Sequence, residues 1–245
     1  MNCDNNANRI RKRILIEVAT LAMQDRLEQD IDRLPLELHP RRAQQVRCCV
    51  HKDRAVARYR IMAALGHRVE NEIDELKPLH KYAREALERE KPEGPVFTVI
   101  DEGCSSCLKG RHIVSNMCRG CVARPCMVNC PRNAVEMVNG RAHINEHMCV
   151  DCGLCKKVCP YNAIIYSPVP CEEACPVKAI SQTDENIQAI DEHTCIGCGQ
   201  CLEACPFGAI MERSQMVDVI TNVSQKRRPV VAMMAPALVG QFPNP

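Results

Sequence analysis

The chain has 245 residues; 46% are hydrophobic once its 19 cysteines are counted, but only 3% are aromatic and tryptophan is absent. Its 32 Lys and Arg against 30 Asp and Glu leave a formal net charge of +2, which gives no overall pull towards nucleic acid or an anionic membrane. The longest nearly apolar stretch, Val230 to Gly240, contains Pro236 and falls well short of the roughly 20 residues a membrane span needs. Glu17 interrupts Ile14 to Met23, with no small-residue cleavage site after it, so a secretory leader is not expected and a reduced, cytoplasmic setting is.

Residues 1–93 read as a helical domain rich in Arg, Glu, Leu and Ala. Ile10, Ile14, Val18, Leu21 and Ala22 follow helical spacing, and Leu27, Ile31 and Leu34 continue it. Pro35 and Pro40 bracket a break. A second helix is predicted over Lys52 to Leu65, with Ala55, Tyr59, Met62 and Leu65 on one face and Gly66 ending it. A third is predicted from about Val69 to Glu90 through Ile73, Leu76, Ala83 and Leu87, with a fresh start at Pro78. Between Arg41 and Arg60, seven cations face Asp53 alone; such a run reads as a solvated helix face or as a dock for an acidic protein such as a ferredoxin. Cys48 and Cys49 are adjacent, so their side chains are expected to diverge, and with Cys3 they read as buried or idle thiols rather than a metal site. Lys91 to Pro95 reads as a linker.

Sixteen of the cysteines fall between Cys104 and Cys205. The repeating unit is Cys-Pro-x-x-Ala-Ile/Val, found at Cys130, Cys159, Cys175 and Cys205. Two runs are complete: Cys149-x2-Cys152-x2-Cys155-x3-Cys159-Pro160 and Cys195-x2-Cys198-x2-Cys201-x3-Cys205-Pro206. This is the bacterial run that holds [4Fe–4S] clusters, the fourth cysteine of which ligates the other cluster in two-cluster proteins. One tight loop wraps three iron corners; the x3 spacing is about one helical turn, and the proline stops that turn. Structural zinc needs only four ligands, usually two Cys-x-x-Cys knuckles, and has no use for the third and fourth cysteines of these runs. Paired disulfides need an oxidising compartment. Between the loops, Ala134-Val135 leads through Asn139-Gly140 to Ile144, and Ala179-Ile180 leads through Thr183 to Asn186 to Ile190. Each reads as a β-hairpin, with Asn-Gly a strong two-residue turn. His147 and His193 sit at matching places two residues before a ligand loop, where they are expected to hydrogen-bond rather than bind iron.

The Cys-Pro cysteines are spaced as two ferredoxin-like units. In the first, Cys118, Cys121 and Cys126 take a cluster with Cys159, and Cys149, Cys152 and Cys155 take one with Cys130. In the second, Cys195, Cys198 and Cys201 take a cluster with Cys175. A fourth set, Cys104, Cys107, Cys171 and Cys205, uses the remaining thiols, giving four clusters. With Cys104 and Cys107 as a zinc half-site or free thiols there are three, and another layout pairs the second and fourth repeats across an insertion.

The cysteine-rich part resembles the four-cluster iron–sulfur subunits of molybdopterin oxidoreductases, through runs like Cys118 to Pro131. A resemblance reaching both ends is to monomeric [FeFe] hydrogenases of the group B type. It rests on Arg47 to Ala55, Arg58 to Ala63, Gly110 to Cys121, and the tail Arg228 to Leu238, which in that family opens the catalytic domain. The resemblance implies that the H-cluster motifs lie beyond this sequence, since no cysteine follows Cys205. The expected fold class is α+β, a helical N-terminal domain followed by tandem ferredoxin-like [4Fe–4S] units. The expected layout is 1–93 helical; 94–117 a linker with Cys-x-x-Cys; 118–168 a first ferredoxin-like dicluster unit; 169–215 a second; and 216–245 the start of the missing catalytic domain. The implied role is to relay electrons between a soluble carrier such as ferredoxin and an H-cluster, in a chain inactive alone. The alternative is a stand-alone polyferredoxin-like subunit of another oxidoreductase.

Overall fold

The computed structural model describes residues 5–42, 44–70, 72–91, 94–107, 111–226, 229–234 and 236. Cys3, Gly110 and, from the tail, Arg228, Ala235, Ala237 and Leu238 lie outside the described residues. In chain order the helices are α1 (Asn6–Met23), α2 (Leu27–Asp30), α3 (Leu34–Leu38), α4 (Val50–Ala64), α5 (Leu79–Glu88), α6 (Pro125–Val128), α7 (Leu154–Val158), α8 (Pro170–Ala174), α9 (Gln200–Ala204) and α10 (Met216–Gln225). The strands are β1 (Phe97–Val99), β2 (Arg111–Val114), β3 (Val135–Val138), β4 (Arg141–Ile144), β5 (Ile164–Ser167), β6 (Ile180–Gln182), β7 (Gln188–Ile190) and β8 (Ile210–Glu212). This is a mixed structure of helices and small two-stranded sheets. No described helix is long and apolar enough to cross a membrane. The chain divides into two compact units, one of residues 1–103 with 207–245 and one of residues 104–206.

The first unit is helical around one apolar core. Its first helix starts where the Asn5 side chain accepts the Asn8 N–H at 2.8 Å, relieving one of the free donors of a helix N-terminus. Ile14 and Val18 from α1, Leu27 and Leu34 from α2 and α3, and Leu79, Tyr82 and Ala83 from α5 pack with α4. α4 is the central helix: Val56, Ile61, Met62 and Leu65 are wholly covered, and the chain turns off through Gly66 at φ +88°. Pro35 does not break the chain here. It sits in the first turn of α3, where its missing N–H has no partner to lose. The third predicted helix is shorter than expected: α5 begins after Pro78, and Ile73 and Leu76 are 96% and 91% exposed rather than core. In this unit β1 pairs antiparallel with β8, Val99 opposite Ile210. Residues 229–234 form no strand.

The basic run of residues 41–60 is used mainly for backbone carbonyls. Arg47 donates to Phe207 O at 3.0 Å and Arg54 to His39 O at 2.9 Å. Arg60 is buried and donates to Gly208 O at 2.7 Å. Asp53, 1% exposed, accepts the Val46 N–H at 3.0 Å and faces Arg47 at 3.6 Å. Replacing Asp53 by Ala leaves Arg47 without its counter-charge and the Val46 N–H without its acceptor. A loss of about 3 kcal/mol is expected for such a buried pair broken on one side, read from thermal unfolding of the helical signal.

The second unit holds three of the sheets. β2 pairs with β5, β3 with β4, and β6 with β7, all antiparallel. The β3–β4 hairpin turns on Asn139 and Gly140, at φ +49° and +76°, as the primed turn requires. The helices α6 to α9 are single turns that each follow or carry cysteines of the repeats.

Candidate iron–sulfur centres

The Cys-Pro repeats of Cys130, Cys159 and Cys175 close on themselves in the same way. The carbonyl of the cysteine accepts the N–H three residues on, from Asn133, Asn162 and Lys178 at 3.2, 3.2 and 3.3 Å. Those residues, with Gly208 in the fourth repeat, take the left-handed conformation at φ +49°, +50°, +55° and +58°. The turn swings the next N–H back onto the sulfur: Ala134 to Cys130 Sγ at 3.3 Å, Ala163 to Cys159 Sγ at 3.4 Å and Ala179 to Cys175 Sγ at 3.2 Å. The four alanines Ala134, Ala163, Ala179 and Ala209 are at most 4% exposed, which is why the repeat tolerates only a small residue there. An N–H donor on sulfur draws charge from a thiolate and is one of the levers on a cluster's potential. The left-handed residue before the alanine sets this turn, and Asn, Asn, Lys and Gly in register is its signal in the sequence.

Within the first half of the second unit, Cys126 is buried while Cys118, Cys121 and Cys159 are partly covered. Burial pushes the Cys126 thiol up, and Cys121 and Cys159 act on it as like charges. Burial also pushes up Cys155, and there the like charges are Cys149, Cys152 and Cys130. These last four line one cavity together with His112, Val135, Ile144 and Gly153. Cys118 goes the other way: its thiol is pulled down by the N–H groups of Ala142 and Gly120, the former at 3.4 Å. In the second half, burial lifts Cys201 to about 11, with Cys195 and Cys198 as neighbouring charges. Burial lifts Cys171 to about 12, with Cys205 beside it. Cys107 is raised by burial and then by Cys104 and Cys205. Cys175 is buried. Buried, mutually repelling thiols surrounded by N–H donors are poor free thiols and good ligands for a group that stabilises the thiolate. Among the described residues no three or more His, Cys, Asp or Glu converge as ligands of a single ion.

Four further residues lie at these loops. Gly120 stands at φ +58°, and a Cβ there would lie 2.1 Å from Gly140 O. A Gly120→Ala chain is therefore expected to displace the loop of Cys118 and Cys121 and to lose one cluster's EPR signal, while the other signals persist. His112 is buried; its Nδ1 lies 3.2 Å from Asp151 Oδ1, its backbone N–H donates to the same oxygen, and its ring packs on Tyr166. His147 and His193 are exposed, and their backbone N–H groups, not their rings, bond Asn145 and Asp191 at 3.0 and 3.1 Å. Away from these loops, Cys48 and Cys49 do not diverge: their sulfurs are 3.9 Å apart. Cys49 caps α4, turning its sulfur towards the Lys52 N–H at 3.4 Å.

Residues 142–165 match the family of 4Fe-4S binding domains, and residues 165–216 match the LdpA Fe-S cluster-binding domain. The chain is 40% identical over 60 residues to formate hydrogenlyase subunit 2 of Escherichia coli (strain K12), covering 24% of this chain and 30% of that one. It is 58% identical over 48 residues to hydrogenase-4 component A of the same organism, covering 20% of this chain and 23% of that one. The chain thus spans less than a third of either relative's length. With the ferredoxin of Alicyclobacillus acidocaldarius it shares 35% identity over 52 residues, 21% of this chain and 67% of that one. Through its cysteine-rich part, the chain belongs to the ferredoxins, iron–sulfur proteins that bind [4Fe–4S] clusters.

Proposed function

We propose that this chain is a four-cluster electron-transfer module that relays electrons between a soluble carrier and the H-cluster of an [FeFe] hydrogenase, in the cytoplasm. The ligand sets are Cys118, Cys121, Cys126 and Cys159; Cys130, Cys149, Cys152 and Cys155; Cys175, Cys195, Cys198 and Cys201; and Cys104, Cys107, Cys171 and Cys205. The observation that supports them most directly is the cavity that Cys130 of one repeat lines together with Cys149, Cys152 and Cys155 of the next; in the first set Cys159 acts on Cys126 as a like charge. Each cluster, when bound, accepts and releases one electron. The chain's own residues do the rest. They bury the thiols of Cys126, Cys155, Cys171, Cys175, Cys201 and Cys205 and place N–H donors on the sulfurs of Cys118, Cys130, Cys159 and Cys175. The resemblance of residues 47–63, 110–121 and 228–238 to group B hydrogenases supports the hydrogenase partner, as do relatives named for hydrogenase and formate hydrogenlyase.

A second reading, a polyferredoxin-like subunit serving another oxidoreductase, is favoured by those same relatives being components of larger enzymes by name. The DNA beyond codon 245 separates the two. An open frame running into further cysteine motifs supports the first reading; a stop codon beside a separate catalytic gene supports the second.

Anaerobically reconstituted protein is expected to hold about sixteen iron and about sixteen sulfide per chain, four per cubane. About twelve of each would remove Cys104 and Cys107 from the ligand sets, and zinc without sulfide would overturn the reading. The 245-residue chain is expected to pass electrons to methyl viologen without evolving hydrogen, even with hydrogenase maturation factors supplied. Hydrogen detected by gas chromatography would mean that some of these sixteen thiols are reaction centre and not wiring.

A further inference from the structure

The two halves of the cysteine-rich region carry opposite charge. Residues 118–168 hold six Lys and Arg against three Asp and Glu, a difference of +3. Residues 169–206 hold one Lys against seven Asp and Glu, a difference of −6. The chain's near-neutral total conceals this dipole.

In the basic half the three carboxylates are already engaged: Glu136 faces His143, Glu146 faces Arg111, and Asp151 faces His112. Arg141 bonds Asn116. The other five cations, Arg119, Arg124, Arg132, Lys156 and Lys157, are exposed, and none is in an ion pair among the described residues. Every one lies beside a thiol of the first two ligand sets. Arg119 follows Cys118, Arg124 caps α6 ahead of Cys126, Arg132 follows Cys130-Pro131, and the two lysines lie in α7 between Cys155 and Cys159. The helices α6 and α7 pack against each other, which brings these loops together. Among the cations stand apolar side chains with nothing over them: Val122 is 97% exposed, Val128 80% and Met117 60%. All three fall within residues 117–128, on the loops and the single helical turn that carry thiols of the first ligand set.

We propose that this face is the docking site of an acidic ferredoxin, which exchanges electrons with the cluster of Cys118, Cys121, Cys126 and Cys159. The proposal rests on the electron-transfer reading above and adds where the carrier binds and what it is. Unpaired positive charge around a small apolar centre suits a transient redox encounter, which buries less than about 1,200 Å². Its charges set the association rate and the apolar centre sets the final contact. The other basic run, residues 41–60, is a poorer candidate, because Arg47, Arg54 and Arg60 are bound to backbone carbonyls.

The test is stopped-flow oxidation of a reduced, acidic two-cluster ferredoxin by the cluster-loaded chain. The second-order rate is expected to fall at least about tenfold between about 0.01 M and about 1 M salt, as the screening length shrinks from about 30 to about 3 Å. A chain with Arg119→Gln, Arg124→Gln, Lys156→Gln and Lys157→Gln is expected to lose about tenfold of the low-salt rate and to meet the parent at high salt. Iron content and reduction by dithionite are expected to be unchanged. Asp184→Asn with Glu185→Gln, on the acidic half, is the control and is not expected to slow the reaction. An unchanged rate in the quadruple variant overturns the proposal, as does a loss that follows Arg41→Gln with Arg42→Gln instead. Salt-sensitive self-association that the quadruple variant abolishes would assign the face to a second copy. Binding to phosphatidylglycerol vesicles without salt-dependent ferredoxin kinetics would assign it to a membrane. The electron-transfer reading fails separately, if the chain binds no iron and sulfide or if dithionite does not reduce what it binds.

Discussion

Stripping iron and sulfide from the chain with an anaerobic chelator is expected to unfold residues 104–206 and leave the helical unit standing. The reason is what each unit has to pack. In the helical unit, Ile14, Leu27, Ile31, Ile61, Met62 and Leu65 are at most 2% exposed in one continuous core, and burial of each such side chain contributes about 1.5–3 kcal/mol. In the cysteine-rich unit, a principal cluster of buried residues is Val135, Ala142, Ile144 and Ile164 with Cys126 and Cys155. Its strands are three or four residues long and stand in two-stranded sheets, which are marginal in water by themselves. Where the ligands are also the core, metal binding is folding free energy. Hydrogen exchange followed by mass spectrometry is the measurement. Protection in residues 135–144 should collapse by several orders of magnitude, while that in residues 50–65 should change little. Persistent protection of the β3–β4 hairpin in the stripped protein would show that this unit has a core of its own.

Exchanging Cys159 and Cys152 for serine, one at a time, is expected to remove two different clusters although the two residues belong to one sequence run. In the proposed ligand sets, Cys159 closes that of Cys118, Cys121 and Cys126, and Cys152 stands with Cys130, Cys149 and Cys155. Each variant should bind about four fewer iron and lack one component of the reduced EPR spectrum. Cys130→Ser should match Cys152→Ser, and Cys121→Ser should match Cys159→Ser, so the four variants sort into two pairs that cut across sequence order. The electrostatic neighbours of Cys126 and Cys155 motivate this pairing. If Cys152→Ser and Cys159→Ser lose the same signal, the run of residues 149–159 closes its own cluster and the exchange between repeats is wrong.

Local features were legible from the sequence because they depend on neighbours a few residues apart. Asn139-Gly140 specified a hairpin, Gly66 ended α4, Pro78 preceded α5, and the Cys-x-x-Cys spacings with their following prolines specified [4Fe–4S] chemistry. Short-range geometry left those segments few alternatives. Ile73 and Leu76 misled because their helical spacing continued a real pattern into a segment that turns outward; period alone does not say which face meets a core. Cys48 and Cys49 misled because a helix cap, not sequence adjacency, sets the direction of Cys49.

What the sequence by itself determined is the cofactor class, the order of helical and cysteine-rich parts, and the hairpins between the cysteine loops. Only the tertiary structure decided that β1 pairs with β8 across more than a hundred residues, and β2 with β5 across about fifty. It also decided that the residue before each repeat alanine is left-handed, that Arg47 and Arg60 serve carbonyls, and that His112 sits against Asp151 at a cysteine-lined cavity. These are non-local facts. A strand pair or a buried guanidinium is chosen by which distant groups the folded chain brings within hydrogen-bond reach, and loop closure costs so little more for a long connection than for a short one that sequence separation carries almost no information about it.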